Sequence, residues 1–88
     1  MSFTGMDISA VRSLATTMNR DADQVHQLMT QLTHQLQSTP WQGPDRERFL
    51  SEWQSTHVAR LTSVVNALHE AAQRATSNAN EQEQVSSR

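Results

Sequence analysis

The centre of the chain reads Thr39-Pro40-Trp41-Gln42-Gly43-Pro44. Apart from Gly5, every glycine and proline of the 88 residues lies in this short stretch. Proline interrupts helices and glycine weakens them, so the stretch predicts a turn. Residues 7–38 and 45–78 contain no such breaker and are rich in Gln, Leu, Ala, Arg and Glu. Propensity therefore predicts two long helices, 7–38 and 45–78, joined by a turn at 39–44.

The predicted first helix has one narrow apolar stripe. Apolar side chains recur at alternating spacings of three and four, at Ile8, Val11, Ala15, Met18, Ala22, Val25, Met29, Leu32 and Leu36. This pattern is typical of a helix that packs along a neighbouring helix, as in a coiled coil. Asp7 is the predicted N-cap, and Thr39 is disfavoured in the α region because Pro40 follows it. We expect this helix to end near Ser38.

The predicted second helix has a broader apolar surface. Gly43 at the N-cap and Pro44 at the first helical position favour a helix start there. One row of apolar side chains contains Phe49, Trp53, Leu61, Val64, Leu68, Ala71 and Ala75, and a second row beside it contains Leu50, Val58, Val65 and Ala72. One row can pack on the first helix, which leaves the other row for a further partner.

Both ends of the chain are predicted to lie outside the helices. Residues 1–6 are expected to form a flexible N-terminus. After Ala75 the sequence becomes polar, with Val85 as an apolar exception. Such a composition cannot bury enough apolar surface to offset the ordering of the chain. Residues 79–88 are therefore predicted to be a disordered C-terminal tail.

The apolar content is too low for a self-sufficient core. The hydrophobic fraction is 35%, against about 45–50% in ordinary globular chains, a figure that includes glycine. A 32-residue helix is about 48 Å long, so the monomer is expected to be a rod with one side of its apolar surface in water. Two such rods side by side would cover that surface. The predicted fold is all-α, a two-helix antiparallel hairpin that dimerises into a four-helix bundle.

Several classes of function are disfavoured. Cysteine is absent, and the seven arginines are scattered in a chain of net charge −2, which disfavours nucleic acid as a partner. The four histidines lack the spacing of a metal site, and no phosphate loop or nucleophile motif is present. We predict no enzyme activity, no cofactor and no metal. The sequence contains neither a signal peptide nor a membrane span, which by itself favours a cytoplasmic protein without membrane insertion.

Aromatic residues cluster at the predicted turn. Trp41 is interpreted as a plug over the open end of the bundle, and Gly43 as a backbone requirement of the turn. Phe49, Trp53, His57 and Leu61 follow on one row of the second helix and are predicted to be bundle-end and partner contacts. His57 is interpreted as a half-buried interface residue, with a pH switch on dimerisation as the alternative.

The turn carries a family resemblance. Trp41-Gln42-Gly43 is a W-x-G motif midway between two long helices, followed by Phe49 and Trp53, and the chain resembles the WXG100, or ESAT-6-like, family over nearly its whole length. The resemblance implies a hairpin that pairs with itself or with a WXG100 paralogue. It also implies export in the folded state by a type VII (ESX-like) secretion system, from the cytoplasm and without a cleavable signal peptide.

In this family export depends on a C-terminal motif, Y-x-x-x-[DE], which an FtsK/SpoIIIE-like membrane ATPase reads. Here Thr76 and Asn80 stand at the two motif positions, and Glu81 comes one residue late. Two readings stay open. The chain is the partner without a signal and is carried out by a second protein, or Glu81, Glu83 and Val85 form a degenerate export tail.

The sequence is therefore consistent with two alternative functions. The first is a WXG100-type protein that is exported by, or acts as a co-secreted adaptor for, a type VII secretion system. The alternative is an intracellular helical-hairpin module that binds a target protein through the spare apolar row of the second helix.

Overall fold

The computed structural model describes residues 7–86, which form an antiparallel helical hairpin. Helix α1 spans Ile8–Ser38 and helix α2 spans Pro44–Glu52. One turn of π-helix, Trp53–His57, connects α2 to helix α3, Val58–Ser86. The described residues contain no strand. The predicted all-α class and the two-helix hairpin are thus confirmed.

The helix ends follow the capping signals of the sequence. The Asp7 carboxylate accepts a hydrogen bond of 3.0 Å from the Ala10 amide, so Asp7 is the N-cap of α1 as predicted. α1 ends at Ser38, and the Thr39 hydroxyl donates to the Gln35 carbonyl at 2.6 Å. Gly43 precedes α2 with a φ of 123°, a backbone angle that residues with a Cβ rarely adopt. Pro44 is the first residue of α2, so the segment between the helices is residues 39–43, one residue shorter than the predicted turn at 39–44.

The hairpin has two limbs, α1 and the continuous segment α2–α3. Buried residues at a spacing of seven, most of them alanine, form the contact between these limbs. Ala15, Ala22 and Met29 are buried on α1, and Val65, Ala72 and Ala79 are buried on α3. Contacts from Arg12 to Asn80 and from Asn19 to His69 show that the helices run in opposite directions. In this register Ala15 lies near the level of Ala79, and Ala22 near that of Ala72. These six residues are called the alanine seam below.

The predicted boundary at residue 78 is wrong. α3 continues to Ser86, and Ala79 is completely buried. The reason is the length of α1, because an antiparallel partner of a helix that begins at Ile8 must run as far as about Ser86 to cover it. The helix thus includes residues 79–86 of the predicted disordered tail. Residues 1–6, predicted to be flexible, and residues 87–88 lie outside the described part of the chain.

The second limb is also not one uninterrupted α-helix. Leu50 and Val58 are eight residues apart, as are Trp53 and Leu61, whereas the seam repeats every seven. In a regular α-helix this one extra residue would rotate the side chains that precede it away from the apolar stripe. The π turn absorbs this residue, and the Val58 amide donates to the Trp53 carbonyl five residues back. Both ends of the limb therefore keep an apolar side toward α1.

The hairpin is a rod. Its extents are 66 × 17 × 14 Å and its radius of gyration is 19.6 Å, against about 12 Å for a compact chain of this length. Its accessible surface is 6450 Å², whereas a compact protein of this mass exposes about 5,200 Å². The expected rod shape is confirmed by these extents.

Candidate functional site

One long side of the hairpin is closed by polar contacts between the limbs. Arg12 donates to Asn80 at 2.8 Å and to both carboxylate oxygens of Glu83 at 3.2 and 3.0 Å. Further along, His69 Nδ1 lies 2.8 Å from Asn19 Oδ1, and His69 Nε2 lies 3.3 Å from Asp23 Oδ1. The side that carries these five residues and His69 is called the polar face. It is occupied by contacts within the chain.

The Arg12–Glu83 pair shifts the pKa of both groups. The hydrogen bonds from Arg12, assisted by its positive charge, hold the pKa of the Glu83 carboxyl below its ordinary value. The same bonds raise the pKa of Arg12. Both side chains are open to solvent, at 40% and 58% exposure. The pair therefore fixes the register of the helix ends and contributes little to the free energy of unfolding.

The opposite long side is apolar and uncovered. In an antiparallel pair, the residues that precede each seam residue by one and follow it by three point to the same side of both helices. On α1 these positions include Leu14, Leu28 and Leu32, with 52%, 63% and 42% exposure. On α3 they include the exposed Val64, and the exposed Val85 lies on the same side, one heptad after Asn78. Between them lie the half-buried side chains of Val11, Met18, Val25, Leu61, Leu68 and Ala75. We call this surface the apolar face.

The structure decides which predicted row of the second helix meets α1. Val65 and Ala72 of the second row are buried in the seam, and Leu50 and Val58 are half-buried in line with them. The first row divides, since Leu61, Leu68 and Ala75 border the seam while Val64 and Ala71 are exposed. The exposed part of the first row thus belongs to the apolar face.

The predicted aromatic cluster is present at the turn end. Ring centroids are 5.9 Å apart for Trp41 and Phe49, 6.4 Å for Phe49 and Trp53, and 6.1 Å for Trp53 and His57. Trp53 is buried, and its indole N–H donates to the Thr33 hydroxyl at 2.7 Å. Trp41 and Phe49 remain more than one third exposed in the single hairpin. The buried anchor of this end is therefore Trp53, while Trp41 has a free surface.

The remaining predicted contact residues lie at different depths. His57 is exposed beside Trp53, and Leu61 is half-buried at the edge of the apolar face. Their roles as partner contacts, and the pH switch at His57, stay predictions. Sequence reasoning missed Thr33, which receives the indole N–H and itself donates to the Met29 carbonyl at 2.7 Å. Its place one turn after the seam residue Met29 was the signal available for it.

The residues of the predicted export tail lie on a helix and do not share one surface. Thr76 is on the same side as His69, and Asn80 accepts the bond from Arg12 on the polar face. Glu81 is exposed between the faces, and Val85 lies on the apolar face. A single helix surface could present Thr76 with Asn80, or the apolar Val85, but not all four side chains together.

Among residues 7–86 no group of three or more His, Asp or Glu side chains is placed to hold a metal ion. No helix in this range is long and apolar enough to cross a membrane. The concavities along the rod are shallow grooves open to solvent, including one beside the turn lined by Trp41, Gly43 and Arg46.

Comparisons of the chain with protein-family models, with curated proteins and with solved structures find no match.

Proposed function

We propose that this protein is a non-enzymatic, WXG100-type helical hairpin that pairs through its apolar face and is exported by a type VII secretion system, or accompanies an exported partner as an adaptor. The observation that carries the proposal is the combination of one uncovered apolar side along a regular hairpin with the Trp41-Gln42-Gly43 turn. Pairing and recognition by the export machinery would use these two features respectively.

Pairing is supported by the surface of the rod. The accessible surface of the hairpin is about 1,200 Å² larger than that of a compact protein of its mass. This difference is comparable to the total area that a small stable interface buries. At about 25 cal/mol per Å² of apolar area, covering the leucines and valines of the apolar face is a large gain for a chain with so small a core. A second hairpin of the same kind would complete a four-helix bundle.

The partner in this proposal is a second copy or a WXG100 paralogue, and the export motor is an FtsK/SpoIIIE-like ATPase. In this proposal the protein is cytoplasmic before export. Within one hairpin, Trp41 and Val85 lie at opposite ends of a rod 66 Å long. A surface that includes both a turn tryptophan and an export tail would therefore need two chains with their turns at opposite ends.

Export is tested in cells that contain the secretion system and the cognate partner. The chain is measured in the culture supernatant with the secretion ATPase intact and with it deleted, beside a cytosolic marker for lysis. Appearance in the supernatant that depends on the ATPase supports the proposal. Equal amounts with and without the ATPase, or none in either case, would contradict it.

The Trp41→Ala variant then separates the two roles of the turn. A lower melting temperature with unchanged export would leave Trp41 a packing role alone, whereas lost export with an unchanged melting temperature would assign it to recognition. Phe49→Ala is the matched control, since it removes a neighbouring aromatic ring of similar exposure.

The second candidate is an intracellular protein-binding module that holds its target on the apolar face. The exposed Leu28 and Val64 favour it equally, because such a face does not reveal where in the cell it is used. Two results would favour this function over export. The chain would stay inside cells that have an active secretion system, and Leu28→Asp would abolish its binding to a target protein.

A further inference from the structure

The apolar face has one acidic side chain near its centre. The residues that precede the three seam residues of α1 are Leu14, Asp21 and Leu28, each seven apart. Asp21 thus takes the place of a leucine between two exposed leucines, and its side chain is 53% exposed. The positions one before and three after the six seam residues contain no further Asp or Glu and no Lys or Arg, and Asp7, one heptad before Leu14, is the N-cap of α1.

Asp21 also lies near the middle of the rod. α1 spans residues 8–38, so Asp21 is two residues, or about 3 Å, from its midpoint. In a two-fold dimer the middle of each rod faces the middle of the other. With the turns at opposite ends, Asp21 would lie close to Asp21 of the second copy. With the turns at the same end, it would face the middle of α3, near Leu68 and Ala71.

Both arrangements are unfavourable for a self-paired dimer. In the first, two carboxylates approach each other as the interface loses water, and like charges repel more strongly there. In the second, a carboxylate is covered by apolar side chains without a compensating partner. Arg20 gives limited relief, because its Nε lies 3.8 Å from Asp21 Oδ1, beyond hydrogen-bond distance, and both side chains are solvated.

We infer that Asp21 is a specificity residue that disfavours self-pairing and selects a different chain, one with an apolar helical face that places a lysine or arginine at mid-length opposite Asp21. A cation there would compensate the buried carboxylate, and the leucines on either side would supply the apolar contact. This inference rests on the proposed function, since it names the partner of the same face.

The first test measures the mass of the purified chain in solution by light scattering over a micromolar concentration series. Wild type is expected at the monomer mass of 9.9 kDa. Asp21→Leu is expected to dimerise, with self-affinity at least about tenfold higher than that of wild type. Asp23→Leu is the matched control, because it removes the same charge two residues away on the polar face and should remain monomeric.

The second test supplies the missing cation on a copy of the same chain. Asp21→Lys is the surrogate partner for rods with their turns at opposite ends. The double variant Asp21→Leu/Ala71→Lys is the surrogate for turns at the same end, because without Asp21 it cannot compensate its own lysine by self-pairing. Wild type is expected to form an equimolar complex with one of them, at a mass near the sum of the two chains. Circular dichroism of each variant alone checks that the hairpin is still folded.

The outcomes separate this inference from the proposed function. A stable wild-type homodimer at micromolar concentration would overturn the inference and leave pairing and export intact. A monomeric Asp21→Leu, or failure of both folded lysine variants to bind wild type, would also overturn it. Absence of ATPase-dependent export would instead overturn the proposed function, whatever the masses are.

Discussion

At the scale of single residues, side-chain size decides what is buried. Ala22, Ala72 and Ala79 have no exposed surface, whereas Leu14 and Leu28 are more than half exposed. Small side chains in the seam let the helices approach closely, so the larger ones beside them stay outside the contact. The hairpin therefore buries its alanines and leaves several leucines for a partner.

Replacing Ala72 with leucine should destabilise the hairpin, because the seam has no space for three more heavy atoms. We expect Ala72→Leu to lower the free energy of unfolding by about 1–3 kcal/mol, measured by urea unfolding followed by circular dichroism. Ala71→Leu is the control. Ala71 is next to Ala72 but exposed, so this substitution should change the free energy of unfolding little. Equal effects of the two variants would contradict the buried seam.

The lowered pKa of Glu83 predicts a pH effect of defined sign. A carboxyl whose pKa is lower in the folded hairpin stabilises it above the unfolded-state pKa of about 4.3. That contribution is lost as the pH falls through the lower folded-state pKa. Glu83→Gln should therefore reduce the melting temperature at neutral pH, and the difference from wild type should shrink at about pH 3. Glu81→Gln, at an exposed position outside this ion pair, serves as the control.

At the scale of elements, the register between the two limbs explains two features of the second limb that were not predicted. The π turn corrects an eight-residue spacing, and α3 extends to Ser86 because α1 offers a surface that far. Neither feature follows from the propensity of the residues concerned. Residues 79–86 are helical chiefly because Ala79 is buried against α1, while the solvent-exposed bonds from Arg12 to Asn80 and Glu83 contribute little stability.

Deleting Gln54 should convert the π turn into ordinary α-helix, since it restores the spacing of seven from Leu50 to Val58. We expect the variant to keep its helical content and to unfold within about 1 kcal/mol of wild type. Deleting Ser63 is the matched control, because it breaks the spacing of seven between Val58 and Val65. That control should lose most of its cooperative unfolding transition, and a similar loss in the Gln54 deletion would contradict the register argument.

At the scale of the whole molecule, the hairpin is divided into a polar face and an apolar face. The polar face uses its side chains within the chain, while the apolar face has no cover among the described residues. A 66 Å rod of this kind presents a contact surface along its whole length. Its shape suits a partner that is also elongated and helical.

A charge on the apolar face should block pairing without unfolding the hairpin. We expect Leu28→Asp to reduce the chain in culture supernatant by about tenfold or more, because an uncompensated carboxylate would be buried in the interface. The melting temperature of the isolated chain should change little, since Leu28 is 63% exposed. Gln27→Asp places the same charge on the outer side of α1, and its export should match wild type.

The sequence by itself determined the local features of this protein. Pro40, Gly43 and Pro44 act on their own backbone, and Asp7 caps the residues next to it, so the turn, the start and end of α1 and the hairpin class could be predicted. The length of the predicted helices indicated the rod, and the spacing of apolar residues indicated that part of its apolar surface is left uncovered by the hairpin. The Trp41-Gln42-Gly43 resemblance is equally a property of the sequence, and its functional meaning stays a proposal.

The tertiary structure decided everything that depends on which side of one helix meets the other. It showed that the second row of apolar residues forms the contact, that Trp53 is the buried tryptophan, and that the tail is helical to Ser86. It also placed Asp21 near the middle of the uncovered face. These features could not be read from spacing alone, because close packing of alanines fixes a register between residues fifty or more positions apart, and that register is a property of two helices together.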